Sequence, residues 1–173
     1  LWVHRYSCHR RFRSQLAPVS GSMGYGLPAA IAAKLRYPNR DVVCFAGDGC
    51  FQMTMQEFGT AAQYGANIIV LVVDNGGYAT IRMHQERRYP GRSIGAIIRN
   101  PDFAALARAY GGFGATVRSH QEFADAFQEA RRAGVPAILH LLVSPEALTP
   151  TLTLAEARRQ GLAQQAGPSL SQP

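Results

Sequence analysis

Two apolar runs that each stop at small polar residues constrain this chain most. Val42-Val43-Cys44-Phe45-Ala46 ends at Gly47-Asp48-Gly49, and Ile68-Ile69-Val70-Leu71-Val72-Val73 ends at Asp74-Asn75-Gly76-Gly77. Both have the length and continuity of buried strands. Between them, Thr54-Met55-Gln56-Glu57 has the spacing of a capping box, which predicts a helix to Tyr64 closed by Gly65. The unit is therefore strand–helix–strand. A right-handed crossover puts both strand ends on one edge of a parallel sheet, where open α/β folds bind ligands. Asp48 and Asn75 are expected to meet there. A carboxylate and an amide oxygen are hard ligands suited to magnesium, which takes few protein groups and completes its shell with phosphate oxygens.

The rest of the chain alternates in the same way. Ser20 to Pro28 holds Gly21, Gly24 and Gly26, a loop whose backbone can approach a ligand closely, and Ala29 to Leu35 is an alanine-rich helix. Helices are expected over Tyr78–Arg88, from Asn100-Pro101-Asp102 to Tyr110, and from a Ser119/Glu122 capping box to about Ala133. In the second of these Asn100 is the expected cap and Pro101 the first helical residue. Short strands are expected at 115–117 and 137–143, with 91–99 as a surface loop. The pattern predicts a doubly wound, mainly parallel sheet with helices on both faces. Residues 1–19 read as an irregular, incomplete domain start, 20–147 as the domain, and 148–173 as a C-terminal helix over about 152–160 with a frayed tail.

Composition narrows the function. No apolar run approaches 18 residues and the N-terminus lacks a signal-peptide order, so a cytoplasmic protein with no membrane partner is expected. The charge of +7 is carried by arginine clusters without a nucleic-acid motif or interleaved aromatics, so no nucleic-acid partner is expected. Cys8, Cys44 and Cys50 show no zinc spacing and no even disulfide count, which reads as reduced thiols. Cys44 and His140 fall in strand patterns as core residues, His140 with its nitrogens satisfied.

Gly47-Asp48-Gly49, with Asn75 behind a second hydrophobic strand and Gly21-Ser22-Met23-Gly24-Tyr25-Gly26 upstream, resembles the cofactor motif of thiamine diphosphate-dependent enzymes. The pattern is similar to the diphosphate-side domain of the acetohydroxyacid synthase and 2-oxo acid decarboxylase group over residues 20–145. That resemblance implies thiamine diphosphate and Mg2+ as cofactors, with Asp48, Asn75 and the Gly77 carbonyl as metal ligands. It implies Gly47, Gly49, Cys50 and Tyr78 around the diphosphate end. Met23 matches the bulky wedge that bends the cofactor into a V. The Gly21 carbonyl is implied to accept from the aminopyrimidine amino group, with Gly24 and Tyr25 close by.

Two positions depart from the group's pattern. Asp74 stands where another asparagine is common, and His84 stands where acetohydroxyacid synthases carry a pocket tryptophan. The resemblance also implies that the glutamate activating the aminopyrimidine belongs to a separate pyrimidine-binding domain, generally across a subunit interface. No catalytic residue is therefore expected in this chain. The implied activity is a component of a 2-oxo acid decarboxylase or carboligase in a homo-oligomer, acting on a small 2-oxo acid. The alternative is a non-catalytic fragment or interaction subunit that needs that other domain for any turnover.

Overall fold

The structure is a computed structural model that describes residue 3 and residues 6–166. Four parallel strands form its sheet: β1 (Val43–Gly47), β2 (Ile69–Asp74), β3 (Phe113–Val117) and β4 (Ala137–Leu142), in the order β1-β2-β4-β3. The helices are α1 (Gly26–Arg36), α2 (Asp48–Gln52), α3 (Glu57–Gln63), α4 (Ala79–Arg88), α5 (Phe103–Ala109), α6 (His120–Arg132) and α7 (Leu154–Ala166). A small hairpin, β5 (Ala147–Thr149) with β6 (Leu152–Thr153), precedes α7. No helix among the described residues is long and apolar enough to cross a membrane. The frayed tail expected after about residue 160 is instead helical as far as Ala166, within α7, and the rest of it lies outside the described residues.

The strands are mostly apolar because both faces of the central strands are covered, whereas Phe45 of the edge strand β1 is 51% exposed. Val70, Val72, Ile138, Cys44 and Ala46 pack with α1, α3 and α5 through Leu27, Ile31, Phe58, Ala61 and Phe103. Ile69, Leu71, Ala137 and Leu139 point to the other face, beneath Phe123, Phe127 and Ala130 of α6. The placement of α6 follows from connection handedness. From β2 the chain skips a position to form β3 and then returns to β4, and a right-handed crossover run backwards lands its helix on the opposite face.

Three helix starts differ from expectation. Residues 53–56 form turns, with Thr54 N–H donating to Phe51 O and Glu57 N–H to Thr54 O, so the chain is bent before α3 begins. The Thr54 hydroxyl instead donates to the Gly24 carbonyl at 2.9 Å, while Glu57 accepts from Thr60. At α6, Ser119 makes no side-chain cap, and Glu122 accepts from Arg118 N–H rather than closing a box. At α5 the cap is Asp102, which accepts from Ala105 N–H at 3.0 Å, two residues later than expected. The Asn100 side chain is engaged instead by Asp48, Asp74 and Gln52.

The segment 91–99 is more than a surface loop. Ala96 is buried, and Gly77 and Ile97 form an isolated antiparallel bridge, with Tyr78 N–H donating to Ala96 O and Ile98 N–H to Gly76 O. The C-terminal elements pack on α4: Leu148, Leu154 and Ala157 close over Met83, and α7 adds an ion pair from Arg158 to Glu86. Glu86 is fully buried and accepts from Arg158 Nε at 2.8 Å, Arg158 Nη2 at 2.6 Å and Gly91 N–H at 2.9 Å. The hydrogen bonds from Arg158, outweighing burial, hold its carboxyl down at about 2 against an ordinary 4.5.

A group whose folded value is depressed stabilises the fold fully above its unfolded value, and that stabilisation is lost as pH falls towards the folded one. Because the Arg158 end is 46% exposed, its screened contribution is on the order of 2 kcal/mol. Urea titrations of the unaltered chain should lose that amount between about pH 5 and about pH 2.5, and Glu86→Gln should flatten the decline. Equal slopes in both chains would remove the ion pair from the account.

Candidate cofactor site

Parallel pairing sets the site's geometry. Gly47 is in register with Val73, so Asp48 and Asn75, the residues that follow the ends of β1 and β2, emerge side by side at the carboxyl edge. Gly77 N–H donates to both, at 3.1 Å to Asp48 Oδ2 and 3.2 Å to Asn75 Oδ1. Asp48 Oδ1 accepts from Gly49 N–H at 2.9 Å. Only 3% of Asp48 is exposed, and burial pushes its carboxyl up. The bond from Asn100 and that from Gly49 pull the other way, while the neighbouring Asp74 charge adds to the rise.

Close packing seals this cluster. A Cβ on Gly49 would lie 2.4 Å from Tyr78 Cε1, and one on Gly77 would lie 2.4 Å from Ala96 O. Gly49 and Tyr78 thus touch, and the 96–98 segment lies against the Asn75–Gly77 turn.

Asn100 and His140 are the site residues that sequence reasoning missed. Asn100 Nδ2 donates to Asp48 Oδ2 at 2.7 Å and to Asp74 Oδ1 at 2.6 Å. The expected core histidine, His140, bonds Asp74 Oδ2 through Nε2 at 2.7 Å, but its buried Nδ1 has no hydrogen-bond partner and lies 3.9 Å from Asp102 Oδ1. Burial pushes the Asp74 carboxyl up, yet the bonds from His140, Gly76 and Asn100 outweigh it and hold it below the usual range. Asp74 is therefore satisfied within the chain. The register that pairs Val72 with His140 brings that ring to the sheet edge, a long-range fact no local spacing encodes.

The glycine-loop residues form a second cluster. Gly24 adopts φ +84° and packs against Met53 and Thr54, while Gly21, at φ +68°, has open space around its α-carbon. Met23 and Tyr25 are each 38% exposed and line an open groove of about 530 Å³ with Leu16, Pro28, Ala29 and Thr54. The link between clusters is α2, which begins at Asp48 and spans about 7.5 Å. Its end leads into Thr54, bonded to Gly24. Gly47 is exposed, and Cys50 is half-buried beside Gly49. Among the described residues no three His, Cys, Asp or Glu side chains are placed to hold a metal by themselves. The oxygen donors that do converge suit a cation that brings phosphate with it.

This α/β edge with a carboxylate–amide pair and a distant glycine loop defines a cofactor-binding domain. Residues 1–141 match the family described as thiamine pyrophosphate enzyme, C-terminal TPP binding domain, and the chain belongs to that family. It is 39% identical over 126 residues to an acetolactate synthase of Arthrospira platensis, a match covering 72% of this chain and 22% of that protein. It is 38% identical over 112 residues to the acetolactate synthase large subunit of Haemophilus influenzae, covering 64% and 20%. Among solved structures, a thiamine diphosphate-dependent 4-hydroxybenzoylformate decarboxylase of Rhodococcus jostii RHA1 superposes with TM-score 0.69 at 32% identity, over 73% of this chain and 24% of that one. A benzoylformate decarboxylase from Polynucleobacter necessarius gives 0.68 at 27%, over 76% and 25%. The chain thus spans about a fifth to a quarter of the length of these relatives. It is a domain of the thiamine pyrophosphate-binding type, similar to those of acetolactate synthases and decarboxylases.

Proposed function

We propose that this chain binds thiamine diphosphate through Mg2+ and forms half of the active site of a 2-oxo acid decarboxylase or carboligase. The observation that carries the reading is the convergence of Asp48 and Asn75 on one backbone N–H at the carboxyl edge. Asp48, Asn75 and the Gly77 carbonyl would hold the cation, with Gly49 and Tyr78 near the diphosphate. The Gly77 carbonyl accepts from Ala79 N–H at 3.0 Å and keeps a second lone pair. Met23 stands exposed at the groove mouth as the wedge, and Gly24 fixes its loop through Thr54.

When bound, thiamine diphosphate supplies a nucleophilic carbon and an electron sink for cleavage next to a carbonyl. The chain's own residues bind and orient: they neutralise diphosphate charge through the cation and shape the groove. Glu57 is engaged by Thr60 and is not assigned to proton transfer. The activating glutamate is proposed to come from a pyrimidine-binding domain of the same or another subunit in a homo-oligomer, so the chain by itself would be inactive. Benzoylformate, which the names of two structural relatives contain, is a 2-oxo acid and a reasonable first substrate to try.

Isothermal calorimetry tests the binding step. With the pyrimidine-binding domain present, thiamine diphosphate is expected to bind in millimolar Mg2+ and to lose that binding in EDTA. Metal-independent binding would overturn the cation assignment.

A further inference from the structure

Asn100 stands between two carboxylates with every polar function in use. One Nδ2 hydrogen goes to Asp48 Oδ2 at 2.7 Å and the other to Asp74 Oδ1 at 2.6 Å, while Oδ1 accepts from Gln52 Nε2 at 2.6 Å. Its orientation is fixed by chemistry. A flipped amide would press its oxygen against both carboxylates and present N–H to the Gln52 donor.

A carboxylate has about four lone-pair directions. On Asp48, Oδ2 accepts from Gly77 N–H and Asn100, and Oδ1 accepts from Gly49 N–H, so the remaining direction is on Oδ1. On Asp74, Oδ1 takes Gly76 N–H at 2.9 Å and Asn100, and Oδ2 takes His140. Asp74 adjoins the implied ligand Asn75 and would otherwise compete for the same cation.

We infer that Asn100 is a positioning residue of the metal site: it leaves Oδ1 as the free ligand atom of Asp48 and keeps Asp74 committed to His140. Gln52, on the helix that begins with Asp48, orients the Asn100 amide. The inference rests on the magnesium reading proposed above. Groups one bond removed from a metal ligand typically change affinity about 10–100-fold when lost.

The test uses the whole chain assembled with its pyrimidine-binding domain, in the unaltered form and as Asn100→Ala and Gln52→Leu. Three quantities are read: the Mg2+ concentration for half-maximal thiamine diphosphate binding, direct Mn2+ binding by electron paramagnetic resonance, and the metal-free melting temperature. Asn100→Ala should raise the Mg2+ midpoint about 10–100-fold, with cofactor affinity recovering at saturating Mg2+. Gln52→Leu, which touches neither carboxylate, should raise it about tenfold. A merely structural role would lower the melting temperature and cofactor affinity together without moving the Mg2+ midpoint, and that result overturns the inference. If Asn100→Ala does not fold, Gln52→Leu decides: an unmoved midpoint overturns the inference and a raised one supports it. If the unaltered protein binds the cofactor without metal, the site reading and the inference both fall. If it needs metal and neither variant moves the midpoint, only the inference falls.

Discussion

Asp48→Asn is expected to weaken Mg2+-supported thiamine diphosphate binding by at least about 100-fold, roughly 2.7 kcal/mol, while changing metal-free stability by no more than about 1 kcal/mol. The two effects separate because the carboxylate has opposing roles. It is 3% exposed and its charge is opposed by burial and by the nearby Asp74, so the metal-free fold gains by losing the charge. Against that, an amide cannot reproduce all three accepted bonds: its NH2 must face either Gly49 N–H or the Gly77 and Asn100 donors. A lost bond of this kind is worth about 1 kcal/mol, comparable to the relief. No such offset exists for the cation, which loses its only carboxylate ligand among the proposed three. Calorimetry and thermal melts on one preparation make the comparison; full binding by the variant would exclude Asp48 as a ligand.

Gly114→Ala should be the most damaging small substitution in the sheet. A Cβ there would lie 2.0 Å from the Ala104 carbonyl oxygen and 2.8 Å from its carbon. Both are backbone atoms of α5, so no side chain can rotate away and the helix itself must shift. We expect a loss of about 3 kcal/mol in urea denaturation. The shift also reaches the site, because α5 starts three residues after Asn100. The Mg2+ midpoint should therefore rise in the same variant. A stability loss under about 1 kcal/mol would show that α5 slides freely on β3.

The sequence made β1, β2 and their polar ends legible because each is a local pattern, an uninterrupted apolar run and then glycine with a hydrogen-bonding side chain. That the two strand ends share one edge followed from a parallel pair joined by a crossover, whereas the Gly47–Val73 register that sets Asp48 beside Asn75 is a tertiary fact. Asn100 was misread for a physical reason: Asn-Pro-Asp satisfies helix-start chemistry at two positions, and only the tertiary demand of Asp48 and Asp74 assigns the cap to Asp102. Thr54 was misread likewise, since its hydroxyl serves the Gly24 carbonyl rather than its own helix. The Glu86–Arg158 pair joins residues on two helices far apart in sequence, and nothing local announces it.

The strand order carries a consequence for how the protein is made. A nascent chain that has emerged through Gly77 already holds Asp48 and Asn75, but the inner edge of β2 is still bare. It is closed by β4, the last strand of the sheet to be synthesised, which also delivers His140 to Asp74. The arrangement in which Asp74 is bonded to both Asn100 and His140 is thus complete only once the last strand of the sheet is in place.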